Sequence, residues 1–502
     1  MKKISLLAAA ALAATSMNVQ AGGLLTNTNQ NAAYVRMMSQ GAIIDITGLY
    51  FNPAGTAFLS NGWHLSLNSQ TAFQQRNIET TFPLFVYNQK DPSATHKFEG
   101  RAKAPVIPSF QVSYNKDKWS VNAGFALIGG GGKCEFSKGL GSFEALYAGQ
   151  IYTNVATNVA TQLATGAAEG YAAQAIPQYM AAGMTLEQAQ AAVAGPAAEY
   201  GKQYAQENLA ATMGQAYQGY SLNAYMSGRS YYFGLQLGAT YKFMDNLAGF
   251  VGLRGVYGTC NYSGYVQDVK YTVMGQTADA NADLTLNADQ VGFGVTPIIG
   301  VDWKINEKWN VAAKYEAPTV MNLKNSTEMN DYAKAQVAGG NETLGKFADG
   351  QKIREDIPAS LTLGAQYSPI EKLRLNGTFN VYFDKSAKKY GDAQKLIDNN
   401  THEVILGAEY DVCKLITLSA SWQNTKYGMS DAVMNDLSFN LSSNMGGLGL
   451  RINATERCSI DLGYMHTFYQ DRTVDTETAA GVKSDNYVRK NDVFGIGVNL
   501  KF

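Results

Sequence analysis

Apolar and polar residues alternate with a period of two through most of this chain. From Trp63, one side of the register carries Trp63, Leu65, Leu67, Ser69, Thr71 and Phe73. The other carries His64, Ser66, Asn68, Gln70, Ala72 and Gln74. Successive side chains of a strand point to opposite faces, so this alternation predicts a strand between an apolar and a polar environment. The pattern returns at 110–114, 119–127, 231–243, 247–257, 291–305, 309–320, 357–367, 373–383, 402–412, 416–422, 439–452 and 460–468. It closes at 494–502 on Phe494, Ile496, Val498, Leu500 and Phe502, for fourteen predicted strands.

Short turns alternate with long connections. Asn115–Lys118, Met244–Asn246, Asn306–Lys308, Pro369–Lys372, Asp411–Lys414 and Asn453–Arg457 are short, whereas the longest loop spans 129–229. Short turns on one rim, long loops on the other and an even strand count match an outer-membrane barrel. Lipid offers the backbone no hydrogen bonds, so a membrane sheet must close on itself. A soluble sandwich would turn its apolar rows to a core and leaves the alternation of loop lengths unexplained. The expected fold is all-β: a transmembrane barrel of 14 antiparallel strands over 63–502. Within the long loop, the Ala-rich stretch Asn154–Gln215 favours helix, notably at Leu186–Val193. Pro177, Gly183 and Pro196 should cut it into short pieces on the extracellular rim; low-complexity disorder is the alternative.

Lys2 and Lys3, the apolar stretch Ile4–Ala14 and the small residues around Val19-Gln20-Ala21 read as a secretory signal peptide over 1–21. The mature chain would start at Gly22 and be exported. Charged residues are 16% of the chain, against roughly 25% in ordinary soluble domains. Forty basic against 41 acidic residues give no basic surface for nucleic acid. After the signal peptide no apolar run reaches the roughly 18 residues of a transmembrane helix. Gly129-Gly130-Gly131-Gly132-Lys133-Cys134 is not a phosphate loop, because Leu127 and Cys134 occupy positions that need glycine and a hydroxyl residue. His64, His96, His402 and His466 show no metal-ligand spacing, and no Gly-x-Ser-x-Gly elbow occurs. No enzyme activity, metal or cofactor is therefore expected. Cys134 with Cys260, and Cys413 with Cys458, fall near common rims; two disulfides or four free thiols both fit.

Residues 22–62 belong to no predicted strand. They contain Gly41-Ala42, Asp45 and the run GLYFNPAGTAFL, with Asn52-Pro53-Ala54 at its centre. This segment resembles the hatch of the FadL/TodX family of outer-membrane transporters for hydrophobic compounds. Glu355-Asp356-Ile357-Pro358-Ala359-Ser360 also resembles a family strand start, with Ile in place of Leu. In that family the hatch plugs a fourteen-stranded barrel, and extracellular helices sit where the Ala-rich insert falls. The resemblance implies passive uptake of long-chain fatty acids or similar compounds across a Gram-negative outer membrane, with sideways release through a break in the third strand. Gly129 and Gly130, within 126–132, would supply that break, and Gly124 is a deeper alternative; a flexible loop start is the other reading. A fatty acid brings a carboxylate. Arg254 and Lys314, on inward rows of the fifth and seventh strands, and Arg36 in the hatch could pair with it; a lumen salt bridge to hatch acids such as Asp45 is the alternative. Membrane lipid, lipopolysaccharide and the outer-membrane insertion machinery, whose signal Phe502 resembles, are the other expected partners of a monomer. An aqueous porin and a surface receptor or adhesin for haem or a host ligand remain competing functions. Forty-one residues are too few for the folded plug of an energised transporter.

Overall fold

The computed structural model describes residues 24–26 and 30–502; the predicted signal peptide lies outside the described residues. Fourteen antiparallel strands form one closed barrel. They are β1 (Gly62–Thr81), β2 (Thr95–Lys116), β3 (Trp119–Phe136), β4 (Tyr217–Met244), β5 (Leu247–Val273), β6 (Leu284–Lys304) and β7 (Trp309–Glu316, resuming at Asn322–Met329). There follow β8 (Lys352–Arg354 and Ser360–Ile370), β9 (Leu373–Tyr382), β10 (Thr401–Asp411) and β11 (Ile416–Lys426). The last are β12 (Ser443–Thr455), β13 (Cys458–Tyr469 and Arg472–Thr478) and β14 (Gly481–Lys501). Each strand pairs with its chain neighbours, and β1 pairs with β14 from His64↔Lys501 to Thr81↔Ser484, which closes the ring. Gln276–Asp279 only extends the edge of β5.

The alternation places its rows as expected. Trp63, Leu67, Trp119, Leu235, Leu253, Phe494 and Phe502 are exposed on the outside, while Ser66, Asn68, Gln70, Gln236, Arg254 and Lys314 are buried inside. Several strands run well past the predicted segments. A strand crosses a membrane in about 9–11 residues, so strands as long as the 28-residue β4 stand far above it on the long-loop side. For this reason the connection expected over 129–229 is shorter: β3 continues to Phe136 and β4 already starts at Tyr217.

Between them lie two long helices rather than short pieces, α2 at Gly141–Ala181 and α3 at Leu186–Ala216. (The helix at Ala32–Arg36, in the plug, is α1.) Only Gly183, at φ +94°, breaks the run, and Thr185 with Gln188 caps α3 reciprocally. Pro177 falls near the end of α2, where few donors follow. Pro196 is exposed, so water can satisfy the carbonyl it leaves unpaired. Buried Ala189, Val193, Ala197, Gly201 and Ala205 recur every fourth residue along α3. A methyl group at Gly201 would collide with the Ala164 carbonyl of α2, so glycine sets the close approach of the two helices. The base of α2, through Tyr147, Ile151, Val155 and Val159, packs on Phe82 and Phe85 and on the upper parts of β4 and β5. All four cysteines are free.

The first turn of α2 is anchored by a buried polar group. Glu144 accepts from Asn88 at 2.6 Å, from Tyr220 at 2.9 Å and from His96 Nδ1 at 2.9 Å. His96 Nε2 faces the Asp91 carbonyl at 2.9 Å, and Phe85 stacks on the ring. Two acceptors facing both ring nitrogens require the doubly protonated imidazolium. Burial alone would lower the His96 pKa, but the hydrogen bond and charge of Glu144, with help from Asp91, reverse it, and the net shift is upward. A raised histidine pKa contributes stability below the unfolded value of about 6.5 and loses it as pH climbs through the folded value. Hydrogen exchange at residues 141–147, corrected for its intrinsic pH dependence, should therefore be slower at pH 6 than at pH 9. His96→Gln should abolish the difference.

Candidate functional site

The amino-terminal segment sits inside the barrel and is bolted to its wall. Asn52 caps the 3-10 turn Pro53–Phe58, accepting from the Gly55 N–H at 3.3 Å while Pro53 takes the first position. The Asn52 amide donates to Asp302 of β6 and to the Ile43 carbonyl. Asp302 also accepts from Asn310 of β7, and Ala54 packs on Phe250 and Ile298. The Asn52-Pro53-Ala54 motif thus docks the plug on β5–β7 and leads the chain toward β1.

Opposite this anchor is an ionic network. Arg36 binds Glu409 at 2.6 Å and Asp461 at 2.9 Å. Arg451 binds Asp45 at 2.5 Å and Asp461 at 2.7 Å, and Arg374 joins Glu409 to Asp411. Arg36 therefore serves as a plug anchor in this structure, and Asp45 pairs with Arg451. A side chain at Gly449 or Gly463 would collide with Arg36, so the wall is thinned to glycine where α1 lies against it. Beneath the plug, at the short-turn rim, is a polar cavity of about 370 Å³ lined by Asp45, Lys304, Arg374, Asp411 and Arg451 among others.

Arg254 and Lys314 are brought together by a residue the sequence reading passed over, Glu316. Arg254 grips its carboxylate at 2.6 and 3.0 Å, and Lys314 reaches it at 2.6 Å. Arg254 also donates to Gln236 at 2.7 Å, and Lys314 to the Tyr50 carbonyl at 2.8 Å. Both cations lie over the Tyr50 ring, at 4.4 and 4.7 Å. Two cations share one carboxylate here. Lys314 and Glu316 are two apart, hence on the same inward row, and that spacing was a readable signal for the trio.

Above the trio the lumen is apolar. Leu24 and Leu25 of the plug pack there with Ile128, Tyr232, Val256, Cys260, Leu323, Ile353 and Tyr382, with Tyr50 at the lower margin and Tyr390 at another. Higher still, between α2 and the loops, is a mostly apolar cavity of about 500 Å³ lined by Phe143, Leu146, Tyr147, Val266, Leu344 and Phe347 among others.

The wall beside the apolar cluster is incompletely paired. Phe110–Lys116 of β2 pair with Trp119–Phe125 of β3, and Gly100–Ala102 pair with Cys134–Phe136. Between these ladders, 103–109 and 126–133 make no pairs with each other. Pro105 and Pro108 lie in the β2 side of the gap and lack the N–H that a ladder needs. These prolines were the missed signal, because apolar alternation marks only 110–114. On the β3 side the register to β4 shifts at Ile128, which turns its side chain into the apolar cluster. Gly129 and Gly130 lie in the stretch that is unpaired toward β2, although both still pair with β4. A Cβ on Gly129 would strike Leu24, and Gly130 sits at φ +92°. Gly124 lies just below the gap, lining a small recess with Leu49, Ala126, Ile128 and Arg254.

Removing Glu316 would leave Arg254 and Lys314 buried without a counter-charge, which costs about 3–5 kcal/mol. Glu316→Ala should lower the denaturant midpoint of the detergent-solubilised barrel clearly, whereas Lys314→Met, which leaves a one-to-one pair, should lower it little. Deleting residues 24–50 should leave a folded barrel that leaks small polar solutes in a liposome-swelling assay.

No protein-family model matches this chain, and no curated protein matches it in sequence. Among solved structures, a Pseudomonas aeruginosa FadL homologue is similar with a TM-score of 0.62 at 15% identity, covering 96% of this chain and 100% of that one. The P. putida toluene transporter TodX is similar at TM-score 0.51 and 12% identity, covering 91% of this chain and 94% of its own. The Ralstonia pickettii toluene transporter TbuX is similar at TM-score 0.51 and 11% identity, covering 94% and 98%. Identities this low speak for the fold. With its plugged ring of fourteen strands and helices above the mouth, the chain has the fold of the FadL/TodX outer-membrane transporters.

Proposed function

We propose that this protein is a passive outer-membrane transporter for long-chain fatty acids or similar hydrophobic compounds, working as a monomer. The observation that carries the reading is the unpaired β2–β3 stretch beside an apolar lumen cluster, in a barrel whose axis is blocked by an ion-paired plug. The similar structures named above, a FadL homologue and two toluene transporters, support the same class of cargo.

The ligand enters from the long-loop side through the apolar cavity beneath α2. It then displaces Leu24 and Leu25 from the cluster and, if it carries a carboxylate, meets Arg254 and Lys314. It leaves sideways between β2 and β3. The axial alternative leads through the charged cavity under the plug and would return the chain to water, at about 0.8 kcal/mol per CH₂. The sideways route keeps the apolar chain out of water throughout. A filled lumen also separates this reading from an aqueous porin. No energy source is required while downstream consumption maintains the gradient.

A larger side chain at Gly124 would fill the recess between Leu49 and the gap, where its Cβ already lies 3.3 Å from Leu49. Gly124→Ile, alone or with Gly129→Val, should lower uptake of a labelled long-chain fatty acid several-fold in a transport-deficient host, while binding to the purified protein persists. Unchanged uptake with normal amounts of folded protein in the membrane would refute the route at this strand.

A further inference from the structure

The outside of the barrel changes character where β14, β1 and β2 rise out of the lipid band. On β1 the outward row runs from Trp63 at the short-turn rim up to Phe73. That span matches the roughly 9–11 residues with which a strand crosses a bilayer. Phe73 and its outward neighbours Phe494 of β14 and Tyr464 of β13 therefore mark the upper edge of the apolar band. Their ring centroids lie 6.5 Å apart between Phe73 and Phe494 and 4.9 Å apart between Phe494 and Tyr464, and all three side chains are exposed. Together they form a continuous aromatic shelf.

Directly above the shelf the outer face turns basic. In the strand register Phe73 faces Asp492 of β14 and Lys103 of β2, and the next outward residue, Gln75, faces Lys490 and Arg101. Lys103, Arg101 and Lys490 are all exposed. Adjacent strands lie about 4.8 Å apart, so the Lys490 and Arg101 backbones are about 10 Å apart, with Lys103 two residues below Arg101. Arg101 has Glu99 beside it at 3.2 Å. Lys103 lies 5.4 Å over the Phe73 ring, and neither Lys103 nor Lys490 has an ion-pair partner among the described residues. The carboxylate best placed to neutralise them, Asp492, is engaged on the side of β13. Its Oδ1 accepts from the Tyr464 hydroxyl and faces His466 Nδ1, both at 2.7 Å.

Two lysines without a counter-charge thus stand at the height of the lipid head groups. Their stems can lie along the apolar wall while the ammonium groups reach polar surroundings. A phosphate above and acyl chains below complement this surface, since phosphate pairs with Lys and Arg and the chains cover the aromatic shelf. A phosphorylated lipid supplies both at once, whereas a free anion supplies only the first. The patch lies on the long-loop side, where the outer leaflet of an outer membrane presents acylated, phosphorylated sugars.

We propose that Lys103 and Lys490, with Arg101 beside them, form a docking site on the outside of the barrel for the phosphorylated head group of a lipopolysaccharide, whose acyl chains lie on Phe73, Phe494 and Tyr464. The site faces away from the lumen and rests on the placement of the barrel in an outer membrane, so it goes beyond the transport reading. Lys103 also opens the stretch of β2 that has no partners on β3. A lipid held there flanks the incompletely paired wall from outside.

The test uses the full-length protein in nonionic detergent with two fluorescent probes of identical acylation, phosphorylated lipid A and its dephosphorylated counterpart. Both lysines are exposed, so Lys103→Gln with Lys490→Gln should fold; migration as a compact species on unheated gels checks this. The double variant should weaken binding of phosphorylated lipid A about tenfold and change binding of the dephosphorylated probe less than twofold. Lys103→Arg with Lys490→Arg should keep the wild-type affinity. Lys116→Gln with Lys118→Gln, which removes the same charge from an exposed short turn at the opposite rim, should also leave it unchanged. The site is refuted if the folded Gln variant binds phosphorylated lipid A as the wild type does, or if both probes weaken alike. An equal loss in the short-turn variant would show a general effect of net charge and refute it too. Displacement of the lipid by millimolar inorganic phosphate would show a simple anion site and overturn the docking of a lipid.

Discussion

A sheet in lipid has no solvent to satisfy its edges, and this requirement shapes the whole molecule. Eighteen paired positions between β1 and β14 remove the last free edge. Once the ring is closed, every residue is either outside, facing hydrocarbon, or inside, facing a confined lumen. The outer rows answer with Trp, Leu, Val and Phe. The inner rows answer with Ser, Asn, Gln and charged residues, and these must find partners in a space from which most water is displaced. The plug supplies many of them. Arg36, Asp45, Asn52 and the Tyr50 carbonyl each complete a polar group of the wall. Plug and barrel are in this sense one hydrogen-bonded unit.

Against this background, a stretch of wall without ladder pairing is informative. Strands that had to stay paired would not carry Pro105 and Pro108 opposite four consecutive glycines. The backbone groups freed on β2 and β3 lie where the lumen side is apolar, built from Leu24, Ile128 and Tyr232. Polar anchoring dominates on the side of β9–β13, and apolar packing with weak pairing dominates on the side of β2–β4. The plug is thus tied by ion pairs to β9–β13 and lies against apolar packing and an incompletely paired wall at β2–β3.

Strand number, strand direction, the inward and outward rows and the six short turns were all legible in the chain, because period-two alternation and turn residues are local properties. The plug was legible through the short run around Asn52-Pro53-Ala54. Helix content in the long connection was legible from alanine, but its continuity was not. The sequence signals for breaking, Pro177 and Pro196, are overridden when one proline falls near a helix end and the other faces water while α3 packs on α2.

Which charges meet is what the sequence could not say. Arg254, Lys314 and Arg36 stood out as cations on inward positions, yet alternation orients a side chain without naming its partner across the lumen. The partners come from far away in the chain: Glu409 and Asp461 for Arg36, Asp45 for Arg451, and three separate segments for Lys346, Glu355 and Lys389. Local chemistry determined a barrel with a lipid face, a polar lining and an amino-terminal segment outside the strands. Closure of the ring decided the rest. Only the tertiary structure brings residues hundreds of positions apart, such as Arg36 and Glu409, within hydrogen-bonding distance, because closing the ring is what sets facing walls and the plug against one another.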